Sequence, residues 1–189
     1  VATHPYSIGY DFNHESQATK YFVKKVLKYW LQEFKIDGFR FDLSKGLTQT
    51  NTGGNISAWS AYDQSRINII LDYAASIRQT DPSAFIILEH LGVVSEESVY
   101  ADNGLMLWGK ATDQYNEATM GWLNGQNQNL YNTTPQSRGW GNYGLLSYME
   151  SHDEERLMYK NIEYGNSNGT YNTRSLPTAL DRMAEAAAF

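Results

Sequence analysis

Apolar positions along the chain follow two different spacings. Some recur with the period of an amphipathic helix, and this spacing predicts helices over 16–34, 59–77, 113–122 and 177–188. In the first of these the predicted apolar face includes Phe22, Trp30 and Phe34. Short apolar runs predict strands over 38–43, 84–88, 105–108 and 145–149. The run 84–88 is continuously apolar, which is typical of a parallel strand covered on both faces. Polar segments rich in Gly and Asn predict loops over 46–57 and 124–143.

Strands and helices alternate in the order of successive βα units, which predicts an α/β fold. Asp42, Glu89 and Asp153 each lie at or just past the C-terminal end of a predicted strand. That end of the strands carries the active site in a (β/α)₈ barrel. From Asp42 to Glu89 is 47 residues and from Glu89 to Asp153 is 64, against about 31 per βα unit. The sequence therefore predicts a fragment of a TIM barrel, with three carboxyl groups converging from its first, second and fourth strands.

The composition of the chain excludes some kinds of site and argues against some kinds of partner. The chain has 189 residues, of which 41% are hydrophobic, enough for the core of one domain. It contains no Cys, which excludes disulfides, thiolate nucleophiles and Cys-based metal sites. A formal charge of −6 without a basic run argues against nucleic acid and membrane partners. The aromatic share of 14% suits stacking on sugar rings, although any single aromatic residue more often fills a core.

Three carboxyl groups at one sheet edge suit cleavage of a glycosidic bond, which needs an acid and a carboxylate with different pKa values. Arg40 and Asp42 are two residues apart on one strand, so they share a face and the guanidinium keeps Asp42 ionised. Glu89 follows an apolar run and has no cation beside it in sequence, which favours a raised pKa. One such carboxyl taken alone is more often a helix cap or a surface charge. The coincidence at three strand ends favours catalysis.

Four segments carry a family resemblance. They are 38–45 (GFRFDLSK), 85–89 (FIILE), 148–153 (YMESHD) and the approach 10–13 (YDFN). In this order they resemble the α-amylase family, glycoside hydrolase family 13, in which the first three would belong to the fourth, fifth and seventh barrel strands. The resemblance covers nearly the whole chain.

This resemblance implies a retaining glycoside hydrolase acting on α-glucans such as starch, glycogen or maltooligosaccharides through a covalent glycosyl-enzyme. Asp42 would be the nucleophile, Glu89 the acid/base and Asp153 the stabiliser of the transition state. Arg40, Lys45 and His152 would bind substrate. An α-glucan polysaccharide or oligosaccharide is the expected partner. The compartment stays open, with a secreted or periplasmic location favoured over a cytoplasmic one.

The chain also departs from the family pattern. The third-strand motif is not found, and 11–14 (DFNH) lies only about one βα unit before Asp42, so His14 receives no catalytic role. Gly46 stands where many amylases have His after the Lys, which weakens the usual calcium contact and alters a sugar subsite. The residues predict no metal site, and calcium is an optional ion of the intact enzyme. The domain 1–189 is expected to be a partial barrel that is truncated at both ends. Such a fragment need not be active in isolation.

Alternatives remain open. An α-glucan transglycosidase or a debranching enzyme of the same family fits the same residues, and the linkage cleaved, α-1,4 or α-1,6, is not determined. A metal-dependent barrel hydrolase using His90, His152, Asp42 and Asp153 is disfavoured because no paired-His motif is present. His90 is expected to be structural. A carbohydrate-binding fragment without chemistry would not need three carboxyl groups.

Overall fold

The computed structural model describes residues 3–6, 10–122, 129–141, 143–168 and 172–188. Contacts divide the chain into two compact units. The first is Val1–Trp108 with Trp140–Leu145, and the second is Gly109–Gly139 with Leu146–Phe189.

A four-stranded sheet confirms the predicted α/β class. Its strands are β1 (Gly38–Phe41), β2 (Phe85–Leu88), β3 (Met106–Lys110) and β4 (Leu145–Tyr148). They lie in the order β1-β2-β3-β4 and run parallel. Arg40 is in register with Ile87, and Phe41 with Leu88, so Asp42 and Glu89 follow two neighbouring strand ends.

Seven α-helices occur in the described residues. They are α1 (Gln17–Phe34), α2 (Ile56–Ser60), α3 (Gln64–Thr80), α4 (Val94–Asp102), α5 (Thr112–Met120), α6 (Leu157–Tyr164) and α7 (Leu176–Ala187). Short 3₁₀ turns lie at Ser44–Leu47, Leu130–Thr133 and Pro135–Arg138. None of these described helices has both the length and the hydropathy needed to cross a membrane.

Helices α4 and α6 were not predicted, because buried polar residues interrupt their apolar period. In α4 the inward face includes Glu96 and Glu97, which are fully buried. In α6 it includes the buried Asn161. Burial of these groups requires partners that only the folded chain supplies.

The core of the first unit lies between the sheet and helices α1, α3 and α4. Its fully buried members include Ile67, Tyr73, Ile77, Leu88, Tyr100 and Leu107. Helix α1 contributes Leu27 and Leu31 and packs against α3. The apolar face predicted for this helix was too wide, since Phe22, Trp30 and Phe34 stay about half exposed. Strand β2 buries Ile86 and Leu88 but leaves Phe85 exposed, so it is less covered than its apolar run predicts.

The predicted helix 59–77 is divided in the structure. Trp59 belongs to the short α2 and is buried, whereas α3 begins after Asp63. The Asp63 carboxylate accepts a hydrogen bond from the Ser65 N–H at 2.8 Å, as N-cap residues do. This cap sets the start of α3, although Trp59 and Tyr62 continue the apolar pattern upstream.

In the second unit α5, α6 and α7 pack on one another. Polar contacts join them: Asn161 Nδ2 donates to Thr119 Oγ1 at 2.9 Å, and Arg182 Nε donates to the Thr119 carbonyl at 2.6 Å. In the predicted loop 124–143, positions 124–128 and 142 lie outside the described residues. The rest of it includes the two 3₁₀ turns at 130–133 and 135–138.

Candidate active site

The first strand pair begins with a close approach of two backbones. A Cβ added at Gly38 would collide with the carbonyl oxygen of Phe85, so only glycine allows this pairing. The pairing continues to the strand ends, where the Glu89 N–H donates to the Phe41 carbonyl at 3.0 Å. This contact holds the backbones next to Asp42 and Glu89 together.

Arg40 binds both carboxyl groups. Its Nη1 donates to Asp42 Oδ1, and its Nη2 donates to Glu89 Oε2 at 2.6 Å. The guanidinium carbon lies 4.2 Å from the ring centroid of Trp108, which stacks on the cation. The side chain of Asp42 is 61% exposed, whereas that of Glu89 is 8% exposed. The guanidinium of Arg40 therefore binds one solvent-accessible carboxyl group and one buried carboxyl group.

Burial is the main reason why the pKa of Glu89 is raised above its ordinary value. The neighbouring Asp42 raises it further, while the Leu43 N–H and the charge of Arg40 oppose the shift. The Leu43 N–H donates to Glu89 Oε2 at 3.2 Å. Leu43 adopts a left-handed backbone conformation with φ 42° and ψ 47°, which is uncommon for a branched residue. Such strain tends to occur where a site requires it.

The backbone of Glu89 is held by Ser44. Both the N–H and the Oγ of Ser44 lie within hydrogen-bonding distance of the Glu89 carbonyl, at 3.0 and 3.1 Å. Ser44 Oγ is also 2.9 Å from His90 Nδ1, and His90 Nε2 is 2.9 Å from Glu96 Oε1. His90 is buried and its side chain lies within this network, which fits the structural role expected for it. Its pKa is lowered, chiefly by burial.

Glu96 forms a buried ion pair with Arg66. Arg66 Nε and Nη2 donate to the two Glu96 oxygens at 2.6 and 2.7 Å. Arg66 also donates to the carbonyl of Trp59, and Tyr100 donates to Glu96. Although burial raises the pKa of Glu96, hydrogen bonds from Arg66 and His90 lower it to about 2. The loops after β1 and β2 therefore rest on a buried network of ion pairs and hydrogen bonds.

Lys45 points into the protein. Its Nζ donates to Ser60 Oγ and to the Leu91 carbonyl, both at 3.0 Å, and lies 4.2 Å from the Trp59 ring centroid. The residue is 7% exposed, and burial lowers its pKa. Leu91 is the second branched residue here with a left-handed backbone, at φ 53°. In this arrangement Lys45 fixes the two loops, and its predicted contact with substrate stays a prediction.

His152 and Asp153 lie in the second unit, after β4. Both side chains are exposed, and His152 Nε2 is 3.4 Å from Asp153 Oδ1. The Asp153 N–H donates to Ser151 Oγ at 3.2 Å, and Glu150 accepts from the Leu157 N–H at the start of α6 at 2.6 Å. The turn is thus fixed by local hydrogen bonds that leave both predicted site residues open to solvent.

Arg40, Asp42 and Glu89 are brought together in the first unit. Sequence reasoning missed the contact of Arg40 with Glu89, the stacking of Trp108, and the network from Ser44 to Glu96. A signal existed for Trp108, which ends the predicted strand 105–108 beside Glu89's strand. No such signal existed for the network, because α4 was not predicted.

No group of three or more His, Asp or Glu side chains in the described residues is placed to hold a metal ion. No protein-family model matches the chain, and a search of curated proteins gave no match. The fold and site define an α/β protein with two carboxyl groups of different exposure sharing one arginine at adjacent strand ends.

Proposed function

We propose that this protein is a retaining glycoside hydrolase of α-amylase type acting on α-glucans, and that the chain forms the fourth to seventh βα units of its barrel. The observation that carries the proposal is the shared guanidinium of Arg40, which binds the exposed Asp42 and the buried Glu89. The motif resemblance supplies the substrate class. The parallel strand order supports the barrel.

In the first step Glu89, whose raised pKa favours the protonated form, donates its proton to the glycosidic oxygen. The bond from that oxygen to the anomeric carbon breaks, and the ionised Asp42 carboxylate attacks this carbon to form a covalent glycosyl-enzyme. The exposed side chain of Asp42 is accessible to substrate. Arg40 orients that carboxylate through a charge-assisted hydrogen bond.

In the second step Glu89, now ionised, takes a proton from water as the water attacks the anomeric carbon. The bond to Asp42 breaks and the sugar leaves with its original configuration. Two carboxyl groups bound by one guanidinium are close, which fits the separation of about 5–5.5 Å found in retaining enzymes. If a sugar hydroxyl replaces water, the same residues carry out transglycosylation.

The test is to incubate the full-length protein with maltoheptaose and to record the anomer of fresh product by NMR. We expect the α-anomer first, and a loss of turnover of at least about 1,000-fold in Asp42→Asn with sugar binding nearly unchanged. Asp102→Asn, at the exposed end of α4, is the matched control and should keep full activity. Release of the β-anomer, or near-normal turnover in Asp42→Asn, would contradict the proposal. A larger share of longer glucans among the products would indicate transfer.

A further inference from the structure

Helices α1 and α3 border a groove of about 470 Å³. This volume is within the range of about 300–1,000 Å³ usual for small-molecule sites. Three lysines of α1, which are Lys24, Lys25 and Lys28, line the groove, and Ser76 lines it from α3. No Asp or Glu side chain is among the described residues that line it. The lining of the groove is therefore cationic.

The spacing of the lysines along α1 concentrates positive charge there. Lys28 follows Lys24 by four residues and Lys25 by three, so the three side chains share one face of the helix. The helix carries four Lys and one Glu, which gives it a charge of +3 in a chain whose formal charge is −6. Such a local concentration of charge attracts anions.

The lysines of the groove differ in their partners. Lys24 Nζ lies 2.6 Å from Asp72 Oδ1, so its charge is paired. Lys25 and Lys28 are exposed, and neither forms an ion pair with a carboxylate of the described residues. Two like charges three residues apart on a helix repel each other. An anion bound between Lys25 and Lys28 would remove this repulsion.

Aromatic rings lie beside the cations. Tyr21 and Tyr29 line the groove, and both side chains are more than half exposed. The Tyr29 ring packs edge-on against Phe34, with centroids 5.8 Å apart, which supports the ring from one side. The rings offer apolar faces to an organic group. Gln32 and Ser76 add an amide and a hydroxyl that can donate hydrogen bonds to an anion.

These features select a phosphate monoester. A phosphate group of this kind carries a charge of about −1.5 to −2 at pH 7 and three acceptor oxygens, enough to balance both Lys25 and Lys28. Lysine binds phosphate as a point charge and needs no fixed fork geometry, which suits exposed side chains. A carboxylate or a sulfate ester carries a single charge and would leave one lysine unbalanced. The groove is larger than a phosphate group, so it also has room for an organic part.

We propose that this groove binds small organic phosphate monoesters, with the phosphate between Lys25 and Lys28 and the organic part against Tyr21 and Tyr29. No residue of the proposed active site lines the groove, so the inference does not depend on the proposed hydrolase. Nucleoside monophosphates and sugar phosphates share this chemistry, and the experiment distinguishes the two sources.

The experiment is calorimetry on the full-length protein at an ionic strength of about 0.01 M, where charges are weakly screened. The ligands are AMP, glucose 6-phosphate and inorganic phosphate, with adenosine and glucose as uncharged counterparts. We expect a Kd of about 1 mM or less for at least one monoester, and binding of inorganic phosphate that is weaker by about fivefold or more, because it lacks the organic part. Tighter binding of AMP would assign the groove to nucleotides, and tighter binding of glucose 6-phosphate would assign it to sugar phosphates.

Variants on the surface of α1 and α3 test the position of the phosphate. Lys25→Gln and Lys28→Gln should each raise the Kd by about fivefold. Asp72→Asn should lower it by about threefold, because this change releases Lys24 and removes a negative charge beside the groove. Lys20→Gln, which removes a lysine of α1 outside the groove lining, is the matched control and should leave the Kd unchanged.

The inference is overturned if neither monoester binds, if adenosine or glucose binds as tightly as its phosphate ester, or if inorganic phosphate binds as tightly as both esters. It is also overturned if Lys25→Gln and Lys28→Gln bind normally, or if Lys20→Gln weakens binding as much as they do. Weaker binding in Asp72→Asn would contradict a site governed by positive charge. Since that variant is expected to gain affinity, a general loss of structure cannot produce the expected result.

Discussion

Arg40 donates to two carboxyl groups that differ strongly in exposure, and it stacks on Trp108. A planar guanidinium has two terminal nitrogens that can each serve one carboxyl group. The proposed reaction needs an ionised Asp42 and a Glu89 that is protonated before the first step. One cation shared between them satisfies both needs only because burial of Glu89 opposes its ionisation.

We predict that Arg40→Lys lowers kcat/KM for maltoheptaose by at least about 100-fold, because an ammonium is a point charge and cannot reproduce the fork. The melting temperature, measured in parallel, should change little. Arg78→Lys, in the last turn of α3, is the matched control and should retain activity. A mild loss of activity in Arg40→Lys would show that Arg40 has only a structural role.

At this scale the sequence predicts contacts within one strand better than contacts between strands. Arg40 and Asp42 share a face because side chains alternate with period two, and that contact follows from spacing alone. The contact with Glu89 depends on the register that pairs Arg40 with Ile87, which no local pattern encodes. The inward turn of Lys45 depends on Leu91 and Ser60, which are distant in sequence.

Helices α3 and α4 are tied together at their first turns. The Glu96 carboxylate accepts from the Asp63 N–H at 2.9 Å, directly before α3, and pairs with Arg66 inside it. Asp63 in turn caps α3 and accepts from Thr48 Oγ1 at 2.8 Å. Sequence patterns located α3, but they could not locate α4, because its inward carboxyl groups are explained only by these partners. The predicted start of α3 was too early, because Trp59 and Tyr62 continue the apolar pattern upstream of its N-cap, Asp63.

We predict that Asp63→Ala lowers the free energy of unfolding by about 1–2 kcal/mol at pH 7, since it removes the cap of α3. Asp63→Asn keeps a capping oxygen and should cost less. Urea unfolding monitored by circular dichroism measures both. Equal losses in the two variants would indicate that the charge, and not the cap, matters.

The same residue gives a pH dependence. Burial raises the pKa of Asp63, but hydrogen bonds from Ser65, Thr48 and Thr50 outweigh it and lower the pKa to about 2. A lowered folded-state pKa means that this stabilisation is present above the ordinary value near 4 and is lost as the pH falls toward 2. The pKa of Glu96 is also lowered to about 2, so its stabilising contribution is lost over the same pH range. The free energy of unfolding should therefore fall less between about pH 4 and pH 2 in Asp63→Asn than in the unmodified protein. The difference between the two is the contribution of Asp63.

At the scale of the whole molecule, strand order is the feature that the sequence predicts best. Alternating helices and strands predict parallel neighbours in sequence order, and the sheet has the order β1-β2-β3-β4. The division of the chain into two units was not predicted, since no linker or change of composition marks it. The first unit contains Arg40, Asp42 and Glu89, and the second contains His152 and Asp153. The role of Asp153 in the transition state stays a prediction.

That role can be separated from the roles of the other two carboxyl groups by chemical rescue. Glu89→Ala should regain activity with added azide or with substrates that have good leaving groups, because azide replaces the water that Glu89 activates and a good leaving group needs no proton. Asp153 makes no covalent bond and transfers no proton in the proposed scheme. Asp153→Asn should therefore lose at least about 100-fold in kcat and recover under neither condition. Rates with an activated aryl maltoside, with and without azide, measure both effects, and Asp181→Asn on α7 is the control that should match the unmodified protein. Recovery of Asp153→Asn with azide, together with no recovery of Glu89→Ala, would identify Asp153 as the proton-transfer group and remove Glu89 from that role.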